Sequence, residues 1–355
     1  MKVNHTQLTF AREYRGLSQT ELAKSVKGLS QSNLSKYEKG LGGLSDEVLQ
    51  NIFKVLNFPA SFFEKKMGTT LETANYRKKS SIPKSLIKNF ETSCIMLGYI
   101  VDELSDSVDF PDFTLKTIDV EDGYTPTEIA IFTRRNFRIP ADEPIHDIFR
   151  LIENKGIVIY EINADEKFDG MVMFSEKGTP IIAINKRMSN DRKRFTLAHE
   201  LGHLIMHCSA DILVPKHRDK EQEANEFASE FLMPAKAIRS SLEGLMYRDL
   251  HSLKKYWLTS KSSIARRAYD LNAISRERYM FFNIELSRNG ERKRESEIVS
   301  IDKSSVFEEA MRLHFEELGY SSKDIAEAFS LSNDVIDNFS SLRNLMKPRL
   351  KISYN

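Results

Sequence analysis

Arg194-Phe195-Thr196-Leu197-Ala198-His199-Glu200-Leu201-Gly202-His203-Leu204-Ile205-Met206-His207 is the stretch from which the rest of the chain can be read. It is apolar and helix-compatible, with two histidines four residues apart. Residues i and i+4 lie one helical turn apart, so His199 and His203 share a face and can hold the same ion. Glu200 follows the first histidine and can reach a water molecule at that ion. Zinc lowers the pKa of such a water, and a neighbouring carboxylate can take its proton. The spacing therefore points to metal-assisted hydrolysis, with Glu200 as the catalytic group.

A catalytic zinc takes a third protein ligand and keeps one position open. The next helical segment, from about Lys220 to Leu232, offers Glu221, Glu223, Glu226 and Glu230. Its apolar face is Ala224, Phe227, Ala228, Phe231 and Leu232. On a helical wheel Glu221 lies roughly 50° from the centre of that face and Glu223 roughly 110°. Glu226 and Glu230 point nearly opposite. Glu221 is the best-placed third ligand and Glu223 the second. His207, one turn beyond His203, reads as a helix C-terminal histidine satisfied by hydrogen bonds. Cys208 reads as a buried thiol. His217 falls in a loop, where a surface role and a substrate contact are equally open.

Upstream, Gly156-Ile157-Val158-Ile159-Tyr160, Gly170-Met171-Val172-Met173-Phe174 and Pro180-Ile181-Ile182-Ala183-Ile184 are compact β-branched or apolar runs. They predict three strands, with a turn at Glu176-Lys177-Gly178. The edge of such a sheet could hold an extended peptide. A helix is predicted from Ile145 to Glu153 and another from about Lys84 to Leu104. The latter follows a basic, turn-rich run, Tyr76-Arg77-Lys78-Lys79-Ser80-Ser81-Ile82-Pro83.

Around the metal motif the chain resembles the ImmA/IrrE family of metallopeptidases. The residues that carry the likeness are Ile184-Asn185, Arg192, the run from Arg194 to Leu204, and His207. They continue in Glu221-Gln222-Glu223-Ala224-Asn225-Glu226-Phe227-Ala228 and Phe231-Leu232-Met233-Pro234. A looser likeness covers roughly residues 75 to 295, including Trp257-Leu258-Thr259-Ser260 and Ile264-Ala265-Arg266-Arg267-Ala268. The resemblance implies one Zn²⁺ per chain on His199, His203 and Glu221, with Glu200 as general base. It also implies a partner protein as substrate. Family members cut, or relieve repression by, helix-turn-helix repressors of phage, mobile-element or stress genes, and others belong to toxin–antitoxin-like loci.

The N-terminal part is different in kind. Leu8 and Ala11, then Leu22, Ala23 and Val26, mark short apolar stripes. Ser18 with Glu21 reads as a capping box. Val48, Ile52, Val55 and Leu56 predict a further helix, stopped near Asn57 and Pro59. Residues 9–63 resemble the phage-repressor (XRE) type of helix-turn-helix. The likeness is carried by Leu17-Ser18-Gln19-Thr20-Glu21-Leu22-Ala23 and by the run from Leu29 to Gly40. Leu34 and Tyr37 anchor the third helix, which leaves Gln31, Ser32, Asn33 and Lys36 outward for base edges. Gln19 and Lys39 suit phosphates. Residues 1–66 carry a charge of about +4, in agreement with a polyanionic partner. The alternative is a protein–protein module of the same fold.

The last helices echo this pattern in Ser322-Lys323-Asp324-Ile325-Ala326. They are acidic through Glu308, Glu309, Glu316, Glu317, Asp324, Glu327, Asp334 and Asp337. Phosphate binding there is disfavoured. Packing on the peptidase, dimerisation and covering the cleft stay open.

Composition fits this plan. The 355 residues are 41% hydrophobic and 29% charged, with net charge +1, two cysteines and no long apolar run. Neither a signal peptide nor a membrane span is expected, and a reducing, cytoplasmic setting is. The expected fold is multidomain and mainly α. An all-α helix-turn-helix head occupies 1–66, a linker and packing helix 67–120, and an α+β zincin-like domain with a small sheet 121–300. A helical extension occupies 301–355. The expected function is a DNA-binding regulatory zinc metallopeptidase acting on a repressor or a toxin–antitoxin partner. The alternative is a regulator or antitoxin whose zinc domain binds or senses a partner without cutting it. Double-stranded DNA is the expected partner of the head, and a homodimer is left open.

Overall fold

The computed structural model describes residues 3–65, 67–68, 70–71, 83–208, 218–292, 295 and 297–340. The basic run at 76–82 and His217 lie outside the described residues. The chain is mainly helical with one small sheet.

The head holds α1 (His5–Tyr14), α2 (Gln19–Ser25), α3 (Gln31–Glu38) and α4 (Asp46–Leu56). Each start has a side-chain cap: Asn4, Ser18, Ser30 and Ser45 accept from backbone amides of the first turn. At Ser18 the capping box with Glu21 is complete. The turn between α2 and α3 passes through Gly28 at φ +82°, a left-handed position that glycine adopts without strain. Leu8, Ala11, Leu22, Val26 and Leu34 are buried. On α4 the buried stripe is Leu49, Ile52, Phe53 and Leu56, at the spacing i, i+3, i+4, i+7. The expected Val48 and Val55 sit on its flank, and Val55 is exposed. A short 3₁₀ turn, Ala60–Glu64, folds Phe62 and Phe63 onto Phe58 and Phe53.

Helix α5 (Lys84–Ser105) lies between the head and the sheet. Lys65 pairs with Glu103 at 2.5 Å on the head side. Next come α6 (Pro126–Asn136) and α7 (Ile148–Glu153).

The sheet has the order β1 (Thr70–Leu71), β3 (Gly170–Phe174), β4 (Pro180–Asn185), β2 (Val158–Ile162). β3 and β4 form an antiparallel hairpin, and β2 runs parallel to β4. β2 starts two residues later than its sequence suggests. A Cβ at Gly156 would fall 2.3 Å from the backbone of Asp112 and Phe113, and its φ is +81°, so Gly156 belongs to the turn. Every residue of β4 is buried, because helices cover both faces of the sheet.

One face presents Val158, Ile162, Met171, Met173, Ile181 and Ala183 to a core shared with α5, the head and the C-terminal helices. The other presents Ile159, Val172, Ile182 and Ile184 to α8 (Asn190–Met206) and α9 (Lys220–Leu232). Around this second core follow α10 (Ala235–Leu242), α11 (Asp249–Trp257), α12 (Lys261–Asp270) and α13 (Arg276–Arg288).

The C-terminal helices are α14 (Val306–Glu316), α15 (Ser322–Ala328) and α16 (Asn333–Phe339). They pack on the sheet face opposite α8, where Phe307 meets the Tyr160 ring and Tyr160 Oη donates to the Phe339 carbonyl at 3.0 Å. They also reach the head. The Arg15 guanidinium pairs with Asp334, donates to Ser332 Oγ, and holds the carbonyls of Leu56 and Asn57 at the end of α4. These helices therefore pack rather than cover the metal motif.

Candidate metal centre

Helix α8 is buried along nearly its whole length, which its sequence allows by setting Leu197, Ala198, Leu201, Leu204 and Ile205 around the motif. α9 crosses it closely. Gly202 permits this, since a Cβ there would lie 2.9 Å from Cδ1 of the buried Phe227 ring. Ala224 and Ala228 lie buried on the same side of α9.

This crossing brings His199, His203 and Glu221 together. The Nε2 atoms of the two histidines are 3.0 Å apart. Glu221 Oε2 lies 3.5 Å from His199 Nε2, and Glu221 Oε1 lies 3.3 Å from His203 Nε2. Tetrahedral ligands at zinc bond lengths stand about 3.3 Å from one another, so the triangle has the size the ion requires. Glu221 Oε1 is a buried oxygen without a hydrogen-bond partner among the described residues. Burial pulls the Glu221 carboxyl upward, but the two adjacent histidines outweigh it and hold it well below the usual carboxylate range. An anionic carboxylate facing two imidazole nitrogens is a donor set suited to a divalent cation.

Glu200 is buried beside this triangle. A Cβ at Gly170 would lie 2.7 Å from Thr196 Cγ2 and 3.2 Å from Glu200 Cγ, so β3 reaches α8 only because Gly170 has no side chain. Burial raises the Glu200 pKa. The two histidines oppose the rise, and Glu221 and Asp169 add to it.

Glu223, the second candidate for third ligand, turns away from the triangle. It accepts from Arg218 Nη2 at 2.6 Å and lies 2.8 Å from His207 Nε2. His207 caps α8, with Nδ1 2.9 Å from His203 Nδ1. Burial, helped by His203 and opposed by Glu223, holds the His207 pKa down to about 4, so the ring is neutral near pH 7. A neutral His207 that donates Nε2–H to Glu223 must accept at Nδ1 from His203 Nδ1–H. His203 Nε2 then keeps its lone pair toward the triangle.

Two expectations fail here. Glu230 is buried, not outward, because α9 is enclosed by α6 as well as α8 and its end meets α12. Its carboxylate pairs with Arg267 and accepts from the Ala235 amide at 3.1 Å. Cys208 is half-buried rather than buried. Two groups escaped the sequence reading. Arg218 links Glu223 to Asp119, a partner 99 positions away that no local pattern could reveal. Asp169 pairs with Arg192 near the start of α8, and its only signal was the arginine.

In the head, Gln31, Ser32, Asn33 and Lys36 are exposed on α3, and Lys39 is exposed just after it. Gln19 is half-buried. Its amide donates to Glu38 Oε2 at 2.7 Å, and its carbonyl accepts from Gln31 Nε2 at 2.9 Å. Glu38 is in turn held by Arg12 at 2.6 Å. Gln19 thus orients Gln31.

Residues 152–269, which include α8 and α9, match the peptidase family described as the IrrE N-terminal-like domain. Residues 10–63 match the helix-turn-helix family. No curated protein matches the chain.

Proposed function

From a chain that joins an N-terminal helix-turn-helix of the XRE type to an ImmA/IrrE domain, we propose a DNA-binding regulator that cuts a partner protein. The partner is a helix-turn-helix repressor, and the genes controlled belong to phage, mobile elements, stress responses or toxin–antitoxin loci. The reading is carried by one observation: three ligand atoms at zinc spacing with a buried glutamate beside them.

In this reading His199, His203 and Glu221 hold one Zn²⁺. Bound there, zinc would act as a Lewis acid toward water and the scissile carbonyl. Glu200 takes a proton from the attacking water and gives it to the leaving amine. Burial raises its pKa, which favours its taking up that proton. His207 and Glu223 keep His203 in the tautomer that faces the ion. Gln31, Ser32, Asn33 and Lys36 read bases while Lys39 meets phosphates. The head brings the site to repressor-occupied DNA in the cytoplasm by raising the effective concentration.

Glu200→Gln should retain zinc and lose cleavage of a repressor encoded beside the gene, assayed by co-expression and mass analysis of products. Cleavage by the zinc-loaded variant at the wild-type rate would overturn the proposal.

A further inference from the structure

Helix α13 carries apolar side chains on two faces. Phe282 is buried in the second core, and Leu286 is buried on the same side of the helix. Met280, Phe281 and Ile284 point the other way and are 53%, 46% and 54% exposed among the described residues. At 100° per residue Met280, Ile284, Glu277, Arg288 and Phe281 fall within about 100° of arc. The outward stripe is thus apolar in its middle, with a carboxylate near its start and a guanidinium near its end.

A half-turn matches the charged ends and the Phe281–Ile284 centre of this pattern and sets Met280 opposite Glu285. Glu277 and Arg288 are equidistant from a point midway between Phe282 and Asn283, and so are Phe281 and Ile284. When two copies of α13 lie antiparallel across an axis at that point, Glu277 of each stands opposite Arg288 of the other. Phe281 likewise stands opposite Ile284. A two-fold contact requires such self-complementarity.

We propose that α13 is a dimerisation face on which a second copy of this chain docks antiparallel, with Phe281 and Ile284 at the centre and a Glu277–Arg288 pair at each end. The inference holds whether or not the metal site cuts a peptide.

Arg288 pairs with Glu285 inside its own helix at 2.6 Å, but its side chain is 70% exposed. An exposed pair of this kind is weak and yields to, or is shared with, a second carboxylate. The helix is about 20 Å long. One helix pair buries less than the roughly 800 Å² per partner of a standard interface, so the dimer is reversible. The end pairs set orientation more than affinity.

The test is sedimentation equilibrium of the full chain from about 1 to about 200 µM, the range of a reversible contact. The mass of 40.9 kDa should rise toward twice that value with concentration. Glu277→Arg and Arg288→Glu each place like charges at both ends and should weaken the dimer at least about tenfold. Combining them restores opposite charges and should restore the wild-type constant. Phe281→Glu should abolish association. Circular dichroism checks that each variant is folded, and Ile284→Lys replaces any variant that is not. A wild type that stays monomeric throughout, a dimer indifferent to the single reversals, or a double variant weaker than either single one overturns the proposal.

Discussion

His207 touches no candidate ligand atom that faces the triangle, yet it determines which nitrogen of His203 does. The chain His203–His207–Glu223–Arg218 fixes that ring from behind with contacts of 2.9, 2.8 and 2.6 Å. Outer partners of this kind are commonly worth 10–100-fold in metal affinity. His207→Ala should therefore bind zinc about ten- to a hundredfold more weakly in chelator competition, with its circular dichroism unchanged. Unaltered affinity would show that the ring is held by packing alone. Glu221 could be read from the sequence because helix periodicity is local. Ala224, Phe227 and Ala228 define a face, and Glu221 lies nearer its centre than the other three glutamates, roughly 50° away. The same wheel misplaced Glu230, since it can describe only one buried face and α9 has two. Arg218 and Asp119 were beyond reach for another reason: their meeting depends on how distant loops are folded, not on any repeat along the chain.

At the scale of elements, the α8–α9 crossing depends on Gly202. Alanine in a helix interior is favoured over glycine by about 1 kcal/mol. Against that, a methyl group forced onto the buried Phe227 ring costs typically 1–3 kcal/mol. Packing should win, and Gly202→Ala should lower the urea midpoint of unfolding. A raised midpoint would mean that the helices part without cost. A second contact joins α7 to α14. Asp302 accepts from the first amides of α7, and Glu153 at its end accepts from Ser305 and Val306 at the start of α14. Burial pushes the Glu153 carboxyl up to about 7, against the pull of those amides. An acid with a higher pKa in the fold than in the unfolded chain binds its proton more tightly when folded. Its contribution is present at low pH and is lost as pH rises from the usual carboxylate range through about 7. The melting temperature of Glu153→Gln relative to wild type should thus move in the variant's favour between about pH 5 and about pH 8. A difference that does not change with pH would exclude Glu153 as the titrating group. The strands and caps were legible because alternation and Ser-x-x-Glu are short patterns. The docking of α14–α16 was not, since an acidic surface is compatible with packing, pairing or covering alike.

At the scale of the molecule, the exposed cations of the head should act on any duplex, while Ser32 and Asn33 should discriminate among sequences. Lys39→Ala should reduce the slope of log affinity against log salt by about one, and Ser32 and Asn33 variants should leave it unchanged. Fluorescence anisotropy on a duplex selected from a random pool measures both. A slope insensitive to Lys39 would move the phosphate contact elsewhere. The head does not hang from a tether: one core runs from Leu8 through Tyr99 and Met173 to Phe339. Arg15 and Asn57 meet Asp334, and Tyr160 meets the Phe339 carbonyl, so the last described helix touches both the head and the sheet. For the gene, a premature stop codon shortly before α16 would then be no mild truncation. It would strip Phe339 from Tyr160 of β2 and remove the Asp334 anchor of Arg15 and Asn57 while leaving every codon of the metal motif intact.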